Sequence, residues 1–298
     1  MKNKSKLLYD GIILLGIAMF CYAGVKIYGH YADRAASNSL YEELNEQYVS
    51  KTTQISAHVE EPVFLPEGDQ GSSVSGGNAL ADAAPVIEET PWHDMIRVDF
   101  ESLRERNQDV VGWIFFENED ISYPILYSED SAKYLYRTLD GKSASAGSIF
   151  LDGNNAPDFE DSRSVIYGHN MKNLSMFGNL KYYIQEKDYY EDHQYFQILT
   201  EGIVYRYRIF SCFDVPETET EICRVDFATE KDFSDFIAVL RKRSVRDTEI
   251  EVDCDDKVVT LLTCFVTGRR TLVNAVRVDS YEIEADTQKE LEQEGIAD

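Results

Sequence analysis

Cys264 ends an apolar, β-branched run, Val258-Val-Thr-Leu-Leu-Thr-Cys264, and a turn containing Gly268 follows it. A thiol at such a rim meets a substrate while the strand behind keeps it rigid. The nucleophile is the thiolate, and a free thiol with a pKa of about 8.5 is only a few per cent ionised near neutrality. A partner base and a cation or oxyanion donor are therefore to be sought. Of the five histidines, His30 and His58 precede the organised part of the chain, His93 opens a predicted helix, and His193 sits in the charged loop Glu191-Asp192-His193. His169 follows Ser164-Val-Ile-Tyr-Gly168, so it ends a second predicted strand, and Gly168 lets the backbone turn there. Arg269 and Arg270 are the cations nearest Cys264 in the chain. Opposing Cys264 to Arg270 leaves a five-residue hairpin loop and pairs Leu262 with Leu272 on the inner side of the sheet; opposing it to Arg269 leaves a four-residue loop. Both lengths are ordinary, so hairpin geometry keeps both arginines open.

The elements that must position these groups are mostly strands. Short aromatic and β-branched runs between turn residues predict strands at 111–116, 121–127, 148–151, 164–167, 195–200, 203–213, 258–264 and 271–278. A helix is expected from Pro91 to near Asn107, because Trp92, Met95, Ile96, Phe100 and Leu103 recur at helical spacing. Two further helical inserts are expected at 173–186 and 230–243, the second with Phe233, Phe236, Ile237 and Leu240 on one stripe. The pattern is that of a mainly β domain with peripheral helices, closed into a barrel.

Composition narrows the class. Acidic residues number 54 against 29 basic, a formal charge of −25. Phosphate repels such a chain, which excludes a nucleic-acid binder. Five scattered cysteines without a Cys-x-x-Cys pair give neither a disulfide framework nor a zinc site. Cys212, Cys223 and Cys254 read as small buried hydrophobes, with a Cys212–Cys223 or Cys212–Cys254 disulfide left open. The carboxylates read as solvated surface; no metal and no cofactor is called for. Upstream, Lys2, Lys4 and Lys6 precede residues 7–25, a 19-residue run with one charge. About 20 apolar residues cross a bilayer, and basic residues ahead of them stay in the cytoplasm. The expectation is an uncleaved signal anchor of a single-pass cell-membrane protein with its catalytic part outside. Four regions are expected: a tip and transmembrane helix at 1–30, a stalk helix and flexible linker at 31–90, a catalytic domain at 91–280, and an acidic tail at 281–298. A fragment beginning near Thr90 is expected to fold alone.

Three motifs in order resemble the sortases. Thr260-Leu-Leu-Thr-Cys264 resembles their T-L-x-T-C signature, Tyr167-Gly-His169-Asn170 their histidine motif, and Arg270-Thr-Leu-Val-Asn-Ala275 their R-x-x-V-x-A strand, which favours Arg270 over Arg269. The resemblance runs through most of Asp109–Val278 and includes Asp109-Val-Val-Gly-Trp-Ile114, Tyr123-Pro124 and Ala146–Asp152. Asn170–Gly178, the helix from Pro91 and the long helix before the catalytic strand are similar to class B in particular.

That resemblance implies an eight-stranded sortase-type barrel and a cysteine transpeptidase. Cys264 would attack the carbonyl after Thr in the C-terminal sorting signal of a secreted protein. His169 would act as general acid and then base, and Arg270 would stabilise the oxyanion or hold the substrate. An amine from a peptidoglycan precursor or a pilin lysine would resolve the thioacyl intermediate. Tyr167, Thr263 and Leu135 are the expected groove residues. Two other readings stand beside this one. A membrane-tethered Cys–His hydrolase would use the same pair with water as acceptor. A non-catalytic extracellular β-domain for binding explains the acidity and the barrel, but not the three motifs together.

Overall fold

Side chains that alternate apolar and polar along a strand can bury one face only if the sheet closes or is covered. Both happen here. The computed structural model describes residues 2–51, 90–264 and 268–283. In chain order the elements are α1 (Lys2–Tyr48), β1 (Val49–Lys51), β2 (Ile96–Val98), α2 (Phe100–Arg106), β3 (Val110–Phe116), β4 (Ser122–Leu126), β5 (Ile149–Leu151), β6 (Arg163–His169), α3 (Tyr182–Gln185), α4 (Tyr189–Asp192), β7 (Tyr195–Leu199), β8 (Ile203–Pro216), α5 (Glu230–Arg243), β9 (Val258–Cys264) and β10 (Arg269–Glu282). Eight strands form a closed barrel in the order β10-β8-β7-β3-β4-β5-β6-β9, with β9 returning to β10. The pairs β4–β5 and β6–β9 are parallel and the others antiparallel. Trp113 lies fully buried in the main core and donates its indole N–H to Ser122 Oγ (2.9 Å).

The helix expected from Pro91 is broken in two. Ile96–Val98 instead pairs as β2 with β1, Val49 opposite Val98. Asp99 then starts α2 afresh, its side chain accepting from the Ser102 N–H (3.0 Å). Helical spacing in this stretch is real, but a strand partner far upstream takes part of it. The helix expected at 173–186 also starts late. Leu174 and Met176 have φ of 70° and 56°, a left-handed backbone no helix accommodates, so only a short 3₁₀ turn at Gly178–Lys181 and α3 follow.

Upstream, helix runs unbroken from residue 2 to 48. Among the described residues no helix is long and apolar enough to cross a membrane, so the expected transmembrane helix has no support from the fold. The linker centred on 71–77 and the tail beyond residue 283 lie outside the described residues. The stretch expected as a stalk is helical but does not stand free. Tyr41, Leu44 and Tyr48 are buried in the main core, and the Tyr41 hydroxyl donates to Gly147 O (2.7 Å). Fully burying one large apolar side chain is worth ~1.5–3 kcal/mol, against ~5–15 kcal/mol for a whole domain. A fragment starting at Thr90 forfeits all three. It is expected to melt well below a fragment starting at Tyr31 when both are followed by circular dichroism. Equal melting temperatures would show that α1 adds nothing to the barrel.

Candidate active site

One face of three adjacent strands carries the site. In the parallel pair β6–β9 the Cα partners run from Arg163–Val258 through Tyr167–Leu262 to His169–Cys264. In the antiparallel pair β9–β10 Leu272 lies opposite Leu262, and the same register continued by two residues sets Arg270 level with Cys264. Alternate residues share a face. The face therefore bears Arg163, Val165, Tyr167 and His169 on β6, Leu262 on β9, and Arg270 and Leu272 on β10, and Cys264 ends β9 as the strand partner of His169.

Its lower half is covered. Phe233, Phe236, Ile237 and Leu240 of α5 pack in one apolar cluster with Val165, Leu262 and Leu272, while Ile166, Leu261 and Val273 of the opposite face belong to the main core. Leu262 and Leu272 thus pair as expected but face α5, not the barrel interior. The period of two says which residues share a face; it does not say which face a helix will cover. His169 and Cys264 lie where their strands end, beyond this cluster.

His169 is held from behind. A Cβ at Gly168 would sit 2.5 Å from Ile149 Cδ1 and 2.6 Å from Phe177 Cδ2, so glycine is needed for the loop to close over β6. The Phe177 N–H donates to His169 O (3.0 Å). The imidazole is 8% exposed, and the Tyr136 ring meets it edge-on at 5.4 Å. Nδ1 is buried without a hydrogen-bond partner among the described residues. Burial holds the His169 pKa below its usual value. The unfolded chain, near 6.5, therefore takes up the proton first as pH falls. Stability from neutral His169 is complete above about 6.5 and is lost as pH drops toward the folded-state pKa. A His169→Gln protein is expected to lose less melting temperature than the parent between neutral and mildly acidic pH. An NMR titration of His169 with a midpoint above 6.5 would contradict the assignment.

The two arginines part company. Arg269 is exposed and reaches Asp214, donating to its backbone oxygen (3.2 Å). Arg270 is half-buried and its Nη1 donates to Cys223 Sγ (3.4 Å). Burial raises the Cys223 thiol pKa, with the Arg270 guanidinium opposing it in part. Arg163 fixes this corner from below. It is fully buried and donates to Thr260 Oγ1 (3.0 Å), Ile222 O (2.9 Å) and Arg224 O (2.5 Å), pinning the segment that carries Cys223. Its pKa is lowered to about 10 by burial.

The expected groove residues scatter. Tyr167 is half-buried, stacks on Phe150 and donates to Asp152 Oδ2 (2.7 Å). Thr263 is buried and its Oγ1 accepts from the Thr271 N–H (2.8 Å), so it ties the β9–β10 hairpin together behind the site. Leu135 packs half-buried against the main core, and the ring beside His169 belongs to its neighbour Tyr136. Sequence reasoning passed over Tyr136 and took Cys223 for a small buried hydrophobe, whereas it is half-buried against Arg270. Tyr136 adjoins the Lys133-Tyr-Leu135 segment and could have been found there; nothing in the sequence around Cys223 points to Arg270. Cys21, Cys212, Cys223 and Cys254 are free thiols, which closes the disulfides left open above. Among the described residues no cluster of His, Cys, Asp and Glu is arranged to hold a metal ion.

A closed barrel with His169 and Cys264 paired at the ends of adjacent parallel strands is the architecture of a sortase. The sortase domain family model matches residues 118–278, and the chain belongs to the sortase family. Its relatives place it in class B. Sortase B of Listeria monocytogenes is 34% identical over 169 residues, covering 57% of this chain and 68% of that protein. The solved Staphylococcus aureus sortase B–substrate complex superposes with a TM-score of 0.57 at 28% identity, covering 60% of this chain and 84% of the other. Clostridium perfringens sortase B gives 0.58 at 26%, covering 61% and 100%. Sortases are cysteine transpeptidases, and so is this chain.

Proposed function

We propose that Cys264 is the nucleophile, His169 the general acid and base, and Arg270 the oxyanion-side donor. The observation that carries this reading is the pairing of His169 with Cys264 where β6 and β9 end; extending the β9–β10 register by two residues brings Arg270 beside them. The thiol proton passes to His169 as sulfur adds to the Thr carbonyl carbon of a C-terminal sorting signal, whose amide bond to the next residue then breaks. His169 then protonates the departing amine, and a thioacyl-enzyme remains. An incoming amine gives its proton to His169 and expels the Cys264 sulfur, which restores the enzyme. Arg270 faces the carbonyl oxygen, where charge develops. Tyr167 and Tyr136 line the peptide groove, while Leu135 packs against the core beside Tyr136 and Thr263 holds the hairpin. The acceptor is an amino group of a peptidoglycan precursor or a pilin lysine.

The unit that does this is the barrel at 91–280 together with the packed end of α1. The N-terminal arm attaches it to the cell membrane, with the barrel outside. In favour of that are Lys2, Lys4 and Lys6, the uncharged run at 11–25, and Leu15, Ile17, Phe20 and Val25, which stand exposed on α1. Incubating the full-length chain with sorting-signal peptides and a panel of amines, read by mass spectrometry, tests the reading. Peptide joined to amine is the expected product; cleavage to the free acid whatever the amine would replace transfer by hydrolysis. Because α5 covers the lower half of the same face, exchanging its exposed residues is expected to reorder the preferred peptides by several-fold. An unchanged ranking would leave α5 a structural cover.

A further inference from the structure

Two segments frame His169, and α1 touches both. The Tyr136 ring meets the imidazole edge-on, and the Phe177 N–H donates to His169 O. Neither Tyr136 nor Phe177 belongs to a barrel strand, so the sheet ladder places neither of them. Residues 134–148 fold back on themselves instead. The Ser148 N–H donates to Tyr134 O (3.1 Å) and the Ala144 N–H to Tyr136 O (3.0 Å). Gly147 permits this with a φ of 59°, and a Cβ there would sit 2.3 Å from Leu135 O. From outside, α1 clamps the segment at two points. The Tyr41 hydroxyl donates to Gly147 O (2.7 Å) and lies 3.0 Å from Ser148 Oγ, which donates to Arg137 O (2.8 Å). Nearer the start of α1, Asp33 Oδ2 accepts from the Ser145 N–H (3.0 Å). The Tyr41 ring also packs edge-on against Tyr123 at 5.4 Å, and the Tyr123 hydroxyl accepts from the Met176 N–H (3.1 Å), next to Phe177.

We infer that α1 positions the active site, with Tyr41 and Asp33 holding residues 134–148 so that the Tyr136 ring stands beside His169 and faces the incoming peptide. Core packing alone would be served by a phenylalanine at 41. A buried hydroxyl is costly unless it is bonded, and the bonds of this one go to the backbone and side chain of that segment. Asp33 adds a charge-assisted bond to the same segment. Tyr136 is 58% exposed, so little burial of its own fixes it, and the backbone beneath sets where its ring stands. Tyr41 and Asp33 touch no reacting atom; they act through Tyr136 and are positioning residues. The inference rests on the transpeptidase reading of His169 for its bearing on substrate, but the placement of the ring can be measured without turnover.

The test uses the full-length chain with isotopically labelled histidine, read by NMR below the melting temperature of each variant. The His169 ring signals are assigned by their absence from His169→Gln. Tyr136→Leu removes the neighbouring ring and is expected to move them. Tyr41→Phe keeps its ring on Tyr123 and loses only the hydroxyl, while Asp33→Ala removes the carboxylate from a half-buried position of α1. Both are expected to move the same signals in the same direction, and Asp33→Asn, which keeps an acceptor oxygen, to restore them. Adding Tyr41→Phe to Tyr136→Leu should move them no further, because residues that act through one another give non-additive changes. In peptide transfer, Tyr41→Phe and Tyr136→Leu should each raise KM at least ~threefold with kcat little changed, and the double variant no more than Tyr136→Leu alone. His169 signals unmoved by Tyr41→Phe and Asp33→Ala, or effects that add in the double variant, would overturn the inference and reduce α1 to core packing. So would signals unmoved by Tyr136→Leu. A parent chain that transfers no peptide would count against the transpeptidase reading, while the His169 signals would still decide whether α1 places the ring.

Discussion

The Cys264→Ala protein is expected to form no thioacyl species and to transfer no peptide, while melting at close to the parent temperature. No other group at this end of the barrel can carry the acyl chain. The Cys223 thiol is raised in pKa by burial and rests on the Arg270 guanidinium. His169→Ala should come close to the same loss, because the leaving amine needs a proton and an ammonium acceptor must shed one. Among the described residues its Nδ1 has no partner, so no carboxylate stands there to take over the role. Mass spectrometry separates the two. Peptide mapping after thiol labelling finds a label at position 264 in the histidine variant and none there in Cys264→Ala, whose thiols are the other four cysteines. Transfer by Cys264→Ala above background would sink the nucleophile assignment outright.

Replacing Arg270 with Ala should lower transfer at least as far as removing an oxyanion donor does elsewhere, by about 10²–10³-fold. Arg269→Ala should stay within a few-fold of the parent, since that side chain is exposed and engaged with Asp214. Arg270→Lys keeps the charge but loses the planar fork of donors, so a large deficit there assigns the role to geometry. The measurement is single-turnover acylation followed by transfer, with folding checked for each variant. Should Arg269→Ala be the inactive one, the register across the β9–β10 turn is shifted by a residue.

Much of this was legible in the residues themselves. The bounds of α5 match the sequence reading because Thr229 caps it, accepting from the Asp232 N–H, and its apolar stripe has helical period throughout. Strands β6 and β9 were equally plain, being short β-branched runs between turns. What stayed hidden depended on partners distant in the chain. Ile96–Val98 leaves its helix for β1, β10 continues to Glu282 because β8 pairs with it that far, and Leu262 and Leu272 face α5. The packing of Tyr41, Leu44 and Tyr48 into the core was hidden by the intervening linker. Arg270 was chosen by motif, and what the folded chain adds is its contact with Cys223.

The parallel pairing of β6 with β9 also bears on when the enzyme becomes reactive. These strands lie far apart in the chain, and such long-range parallel contacts form late, after the loop entropy between them has been lost. Until β9 docks, Cys264 is an ordinary thiol on an unpaired segment and His169 ends a strand with an open edge. A nascent or truncated chain therefore carries both groups without the juxtaposition that makes them a pair. Chain topology thus acts as a quality check, withholding acyl-transfer chemistry until the last segments of the barrel are in place.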